Sequence, residues 1–214
     1  PPHAGTLPPQ AVLALLLNVC AQQAQQDFPL DDAELLPFSS VWPRLRDGYI
    51  LWLLADFEQT RARFVAGETH RQRPLAELLP PDAQDCLPPH AVTITGTIDR
   101  MDALPAACAE AAAWRLIDYK TEAPDKTRKR IRNDGEDTQL LFYAALLAPQ
   151  AVQAMYLNLG EDGSITAHEQ ENVNALAPQL LHTLADELTR IAQGAPLPAL
   201  GEGKACDYCP ARGL

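Results

Sequence analysis

The spacing of apolar positions along this chain alternates between helical and strand periods, and each change marks a new element. Gln10 to Gln26 is rich in Ala, Leu and Gln at helical spacing and follows Pro8-Pro9, which predicts a first helix. Pro29 to Pro43 reads as a turn-rich connector. A second helix is predicted over Arg44 to Ala66, with Leu45, Tyr49, Trp52, Leu53 and Phe57 on its apolar face. Asp56, Glu58, Arg61 and Arg63 fall on the other face. The period then drops to two. Ala91 to Asp99 is β-branched and alternating, and Trp114 to Lys120 reads as the next strand, with Leu104 to Ala113 as the hairpin connection. Asp137 to Leu147 returns to helix. Ala151 to Leu159 and Ser164 to Glu169 predict a strand pair joined at Glu161-Asp162-Gly163, and Asn174 to Gln193 a final amphipathic helix. This order predicts one α/β domain with a central mixed β-sheet flanked by helices.

Composition fits that picture and narrows the function. With 214 residues, 47% hydrophobic and 21% charged, the chain is long enough for one substantial core. Pro1 in place of Met, and an abrupt end after Cys206, predict a piece of a longer chain. The net charge of −11 argues against a general nucleic-acid coat protein, which must neutralise phosphates with Lys and Arg. It does not exclude a nuclease, whose acidic metal site adds to the negative count. Local charge is uneven: Lys126, Arg128, Lys129, Arg130 and Arg132 put five cations in seven residues. That run reads either as a solvated surface loop or as a loop that grips phosphate. The cysteines, Cys20, Cys86, Cys108, Cys206 and Cys209, are odd in number and unevenly spaced, unlike a secreted disulfide framework. The longest apolar run, Ala11 to Leu17, is far short of the roughly 20 residues that span a bilayer, and it has no basic leader. The expected location is cytoplasmic, with no membrane association.

The chemistry concentrates in Asp118-Tyr119-Lys120-Thr121. On a strand, residues two apart share a face, so Asp118 and Lys120 point together while Tyr119 points into packing. Asp99 lies nineteen residues upstream, at the end of the preceding strand, where a hairpin would bring it across from Asp118. Two close carboxylates repel unless a cation neutralises them, and an all-oxygen site suits Mg²⁺ or Mn²⁺. Lys120 would orient water or offset charge on a phosphoryl group. Gln139 and Tyr143, four apart on a predicted helix, face the same way. The chain has no Gly-x-Ser-x-Gly elbow and no Gly-x-x-x-x-Gly-Lys phosphate loop.

Gly96-Thr-Ile-Asp-Arg-Met-Asp102, Leu116-Ile-Asp-Tyr-Lys-Thr121 and Gln139-Leu-Leu-Phe-Tyr-Ala-Ala-Leu146, in this order, resemble the RecB-type branch of the PD-(D/E)XK nuclease superfamily. That branch includes the nuclease domains of bacterial recombination enzymes. The likeness covers roughly residues 91 to 214. It implies a restriction-endonuclease-like core over 91–200, a helical part over 1–90 and a cysteine-containing tail over 201–214. It implies Asp99 and Asp118 as metal ligands, the Tyr119 main-chain carbonyl as a further one, Lys120 as the catalytic lysine, and Gln139 and Tyr143 lining the site. Glu68 resembles the acidic residue such nucleases carry on an earlier strand. The implied activity is Mg²⁺- or Mn²⁺-dependent DNA cleavage, by an exonuclease of recombinational repair partnered with a helicase module. The sequence departs from the family twice. Pro9 stands where a Gly-x-x-x-His histidine is usual, which keeps open an inactive DNA-binding or scaffold domain. Cys206 and Cys209 resemble the tail of iron–sulfur members, but a four-iron cluster needs four thiolates, so a cluster is implied only for a longer chain.

Overall fold

The structure, a computed structural model, describes residues 7–28, 31–81, 92–105, 114–132 and 137–196. Cys206, Cys209, the rest of the 201–214 tail and most of the expected hairpin connection lie outside the described residues.

Two helices come first, α1 (Gln10–Asp27) and α2 (Asp32–Thr60). The expected connector and second helix are therefore one element that starts earlier and stops earlier than the periodicity suggests. Its start is a capping box: the Asp31 side chain accepts from the N–H groups of Ala33 and Glu34, and Glu34 accepts from the Asp31 N–H. From there α2 runs through Pro37 and Pro43, residues that normally break a helix by removing a hydrogen bond. Its end is Arg61, a left-handed C-cap with φ 54°. Arg61 and Arg63 are thus off the helix.

Strand β1 (Arg63–Pro74) follows and pairs antiparallel with β2 (Thr93–Ala103). Between them sits a single turn, α3 (Leu75–Leu78). The alternation rule misses β1 because most of its positions are exposed and its second half, His70-Arg71-Gln72-Arg73-Pro74, is polar. Charges and a proline are how an edge strand resists pairing with another chain. Strand β3 (Trp114–Lys120) is bounded as expected and pairs antiparallel with β2. The basic run then forms a short helix, α4 (Pro124–Arg130), rather than a loop. Pro124 at the first position, Asp125 in the first turn and three cations in the last turn match the helix dipole. Helix α5 (Gln139–Leu147), strands β4 (Val152–Leu159) and β5 (Ile165–Glu169), and helix α6 (Val173–Ala192) complete the order.

The described strands form one sheet in the order β1-β2-β3-β4-β5, with β3 and β4 parallel and the other neighbours antiparallel. One face carries the main core: Leu116, Tyr156 and Ile98 of the sheet pack with Leu140, Leu141 and Ala144 of α5 and with Leu181 and Ala185 of α6. On the other face Ile117, Met155 and Leu157 pack beneath Tyr49 and Trp52 of α2. Helix α2 also meets the β4–β5 turn backbone to backbone. A Cβ added at Gly48 would lie 1.9 Å from the carbonyl oxygen of Gly163.

A buried charge network bolts α2 to the sheet. Arg115 donates two hydrogen bonds to Asp56 (2.7 and 2.6 Å) and one to Asp102 (2.7 Å). Asp102 also accepts from Arg100 Nε at 2.8 Å, and Arg100 Nη1 donates to the Tyr49 hydroxyl at 2.6 Å. Asp56, placed on a solvent face by the sequence pattern, points inward instead. Burial opposes charge on Arg115 and Arg100, but their carboxylate and tyrosine partners win, and both guanidiniums are held above their ordinary pKa.

Candidate active site

The site sits where β2 and β3 part. Their ladder ends at the pair Arg100–Ile117, so Asp99 and Asp118 come next on the two strands. There the Asp99 side chain replaces the ladder: its Oδ2 accepts the Tyr119 N–H at 2.9 Å. Strand β2 changes phase at this point, since Ile98 and Met101, three apart, enter the same apolar cluster. Across on β1, Glu68 has a left-handed backbone, φ 48°, between the pairs Gly67–Arg100 and Thr69–Ile98. Irregularities of this kind re-aim side chains beside functional sites.

On β3, Asp118 and Lys120 share a face as their spacing requires. Asp118 is buried, 1% exposed, and Lys120 is half-buried. Helix α5 leans over both. Gln139 Nε2 donates to Asp118 Oδ1 at 2.6 Å and to the Tyr143 hydroxyl at 3.0 Å, while its Oε1 accepts from Lys120 Nζ at 2.7 Å. The two ends of one amide thereby fix an acid and a base. The Lys120 ammonium also lies 2.6 Å from Asp118 Oδ2. This buried oxygen is held by the ammonium alone, whereas Oδ1 is held by the Gln139 amide.

Burial raises the Asp118 pKa above the usual aspartate range; Lys120 opposes this, while Asp99 and Asp137 add to it. Burial likewise raises Tyr143, opposed by Gln139 and reinforced by Asp118, Asp99 and Glu68. The acids of three strands therefore act on one spot. Among the described residues, though, no three of His, Cys, Asp and Glu stand close enough to hold a metal by themselves. What the site offers a cation is carboxylate oxygen: Asp118 Oδ2, shared with the Lys120 ammonium, and the Asp99 oxygen that does not accept the Tyr119 N–H. Mg²⁺ suits such a set, because it keeps several waters and takes only one or two protein carboxylates.

The reverse side of β3 is tied to α2. Tyr119 points away from the site, and its hydroxyl meets that of Tyr49 at 2.9 Å. An apolar cavity of about 180 Å³, lined by Leu17, Trp42, Leu45 and Leu159 among others, lies behind this tyrosine pair and not at the acids. Pro9 caps the exposed start of α1, and α1 packs on α2.

Several neighbours escape sequence reasoning. Asp137, two residues before Gln139, accepts from the Gln139 N–H and from the Tyr156 hydroxyl and pairs with Arg130 at 3.0 Å. Arg130 also pairs with Glu122 at 2.7 Å. The ring of Tyr156 lies under Lys120 Nζ (5.0 Å from its centroid) and under the Arg130 guanidinium (5.6 Å). A short polar residue just ahead of a helix is the one signal that could have flagged Asp137. Of the other basic residues, Arg128 pairs with Asp125, and Lys126, Lys129 and Arg132 are exposed without ion pairs among the described residues.

Compared with known families, residues 10–214 match the model described as the PD-(D/E)XK nuclease superfamily. The match starts well before residue 91 and takes in α1, α2 and β1. No curated protein matches the chain. No helix among the described residues is long and apolar enough to cross a membrane.

Proposed function

Because the chain belongs to the PD-(D/E)XK nuclease superfamily, we propose that it hydrolyses DNA phosphodiesters with Mg²⁺ or Mn²⁺ at Asp99, Asp118 and Lys120. The observation that carries this reading is the Gln139 amide, which holds Asp118 and Lys120 at its two ends and sets the acid beside the base. A divalent ion held by Asp99, Asp118 and the Tyr119 carbonyl would supply Lewis-acid polarisation and an acidified water. The remaining work falls to the chain. Lys120, steered by Gln139, meets the negative charge that develops on the phosphoryl oxygens. Asp99 spends one oxygen on the Tyr119 N–H, which fixes the main chain between Asp118 and Lys120, and its other oxygen has no partner among the described residues. Tyr143 stays protonated and shares the Gln139 amide, so it lines the site as a neutral hydroxyl. Glu68 faces the same spot from the edge strand.

The three-part motif supports a finer reading: a RecB-type exonuclease of recombinational repair, cytoplasmic, working beside a helicase module. Its exposed cations, Lys126, Arg128, Lys129 and Arg132, would grip the DNA backbone. The decisive experiment compares cleavage by the wild type, Asp118→Ala and Lys120→Ala on single- and double-stranded DNA with Mg²⁺. Both variants should stay folded and lose cleavage by at least about a hundredfold, the scale of one lost electrostatic stabiliser. Equal activity in all three proteins would refute the assignment.

One observation favours a second reading, a nuclease fold kept as a DNA-binding scaffold: Pro9 occupies the place of the usual histidine. Calorimetry with Mn²⁺ separates the two. Binding that disappears in Asp99→Ala supports the enzyme, and no binding supports the scaffold.

A further inference from the structure

Arg130 differs from the other four cations of the basic run. Its Nε lies 3.0 Å from Asp137 and its Nη2 2.7 Å from Glu122, while Nη1 has no ion pair among the described residues. The side chain is 42% exposed, against 9% for Asp137. Two acids therefore flank one side of the fork, and the side chain stays partly open to solvent. The guanidinium lies over the ring that also carries Lys120 Nζ, so the two cations are at most the two ring distances apart. Glu122 and Asp137 are fixed in turn. Thr127 Oγ1 donates to Glu122, buried Asn158 donates to Thr127 and to the Glu122 carbonyl, and Tyr156 donates to Asp137. A strut that only held α4 to the sheet would not need an open, oriented edge beside the lysine.

We propose that Arg130, seated on Tyr156, forms a subsite for a DNA phosphate next to the one that is cut. This deepens, and rests on, the nuclease reading. A planar fork matches the oxygens of a phosphate in a way an ammonium does not. Because the side chain is already positioned, little ordering cost falls on binding. The subsite would set where the strand lies relative to Lys120, while the exposed lysines supply affinity without position.

The test walks one uncharged methylphosphonate along a DNA strand. Cleavage is read with Mg²⁺, and binding by fluorescence anisotropy with Ca²⁺ in its place. The proteins are wild type, Arg130→Gln, Arg130→Lys and the triple Lys126→Gln/Lys129→Gln/Arg132→Gln. Thermal melting checks that each is folded, and Arg130→Lys keeps the charge that Glu122 and Asp137 need. Wild type and the triple variant should lose about tenfold at one phosphate beside the cut, the scale of one charge-assisted hydrogen bond. Both Arg130 variants should be insensitive at that phosphate alone. An Arg130→Lys profile that matches wild type at every position overturns the subsite. Absence of cleavage by every protein would instead sink the nuclease reading, and the anisotropy profiles would still decide the subsite.

Discussion

Removing the carboxylate of Asp102 should unfold this protein far more readily than removing any surface acid. Asp102 is fully buried and serves two guanidiniums, accepting from Arg100 Nε and Arg115 Nη2. In Asp102→Ala, Arg115 keeps only Asp56, and Arg100 keeps only the Tyr49 hydroxyl. Arg100 is then a buried cation with no carboxylate, and Arg115 has one in place of two. Breaking a buried pair on one side costs about 3–5 kcal/mol, because the partner charge stays desolvated. For a chain of this size each kcal/mol moves the melting temperature by about 2–4 °C, so the expected loss is about 6–20 °C. Calorimetric melting and urea unfolding, both in EDTA, measure it, with Asp125→Ala as the control. Asp125 pairs with Arg128 in the open, where such a pair is worth about 0–1 kcal/mol. If Asp102→Ala melts within about 3 °C of wild type, the network is not the bolt between α2 and the sheet.

Four further outcomes follow from the same geometry. Asp118→Asn should melt higher than wild type in EDTA while losing cleavage, since burial penalises the charged carboxylate and the neutral amide removes that penalty. A lower melting temperature would mean that the Lys120 ion pair outweighs burial. Gly48→Ala should cost about 1–3 kcal/mol in urea unfolding, because its Cβ collides with the Gly163 backbone and α2 must shift. Removing Lys126, Lys129 and Arg132 together should reduce the slope of log K for DNA against log salt by about 2 to 3, one increment per lost phosphate contact. Gln139→Leu should lower the rate constant of cleavage while leaving Mn²⁺ affinity measurable by calorimetry, since it unties Lys120 without removing a carboxylate.

What the sequence revealed depended on whether a residue's role was local. Trp114–Lys120 and the helix at Gln139 were readable because buried apolar residues impose their period directly. The same holds for Asp118 with Lys120 at two-residue spacing and Gln139 with Tyr143 at four. Strand β1 carried no such imprint: an edge strand answers to solvent, and its arginines hide the alternation. The start of α2 was masked by Pro37 and Pro43, whose usual meaning the Asp31–Glu34 capping box overrode. Asp56 looked solvent-facing because nothing near it in sequence announces Arg115, fifty-nine residues away. Asp137, Tyr156 and Arg130 meet only after β4 has paired with β3. Their association is a property of the sheet, not of any segment.

The ladder between β1 and β2 has a bearing on how this nuclease fold can be dissected. The motif residues all lie after residue 91, and sequence alone would pick a fragment begun there as the minimal unit. Such a fragment would strip β2 of ten paired positions and turn an interior strand into a bare edge. It would also deprive Arg115 of Asp56 and uncover Ile117, Met155 and Leu157. The segment that carries the chemistry is therefore not the segment that can fold alone, and excising it should yield aggregates rather than a smaller enzyme.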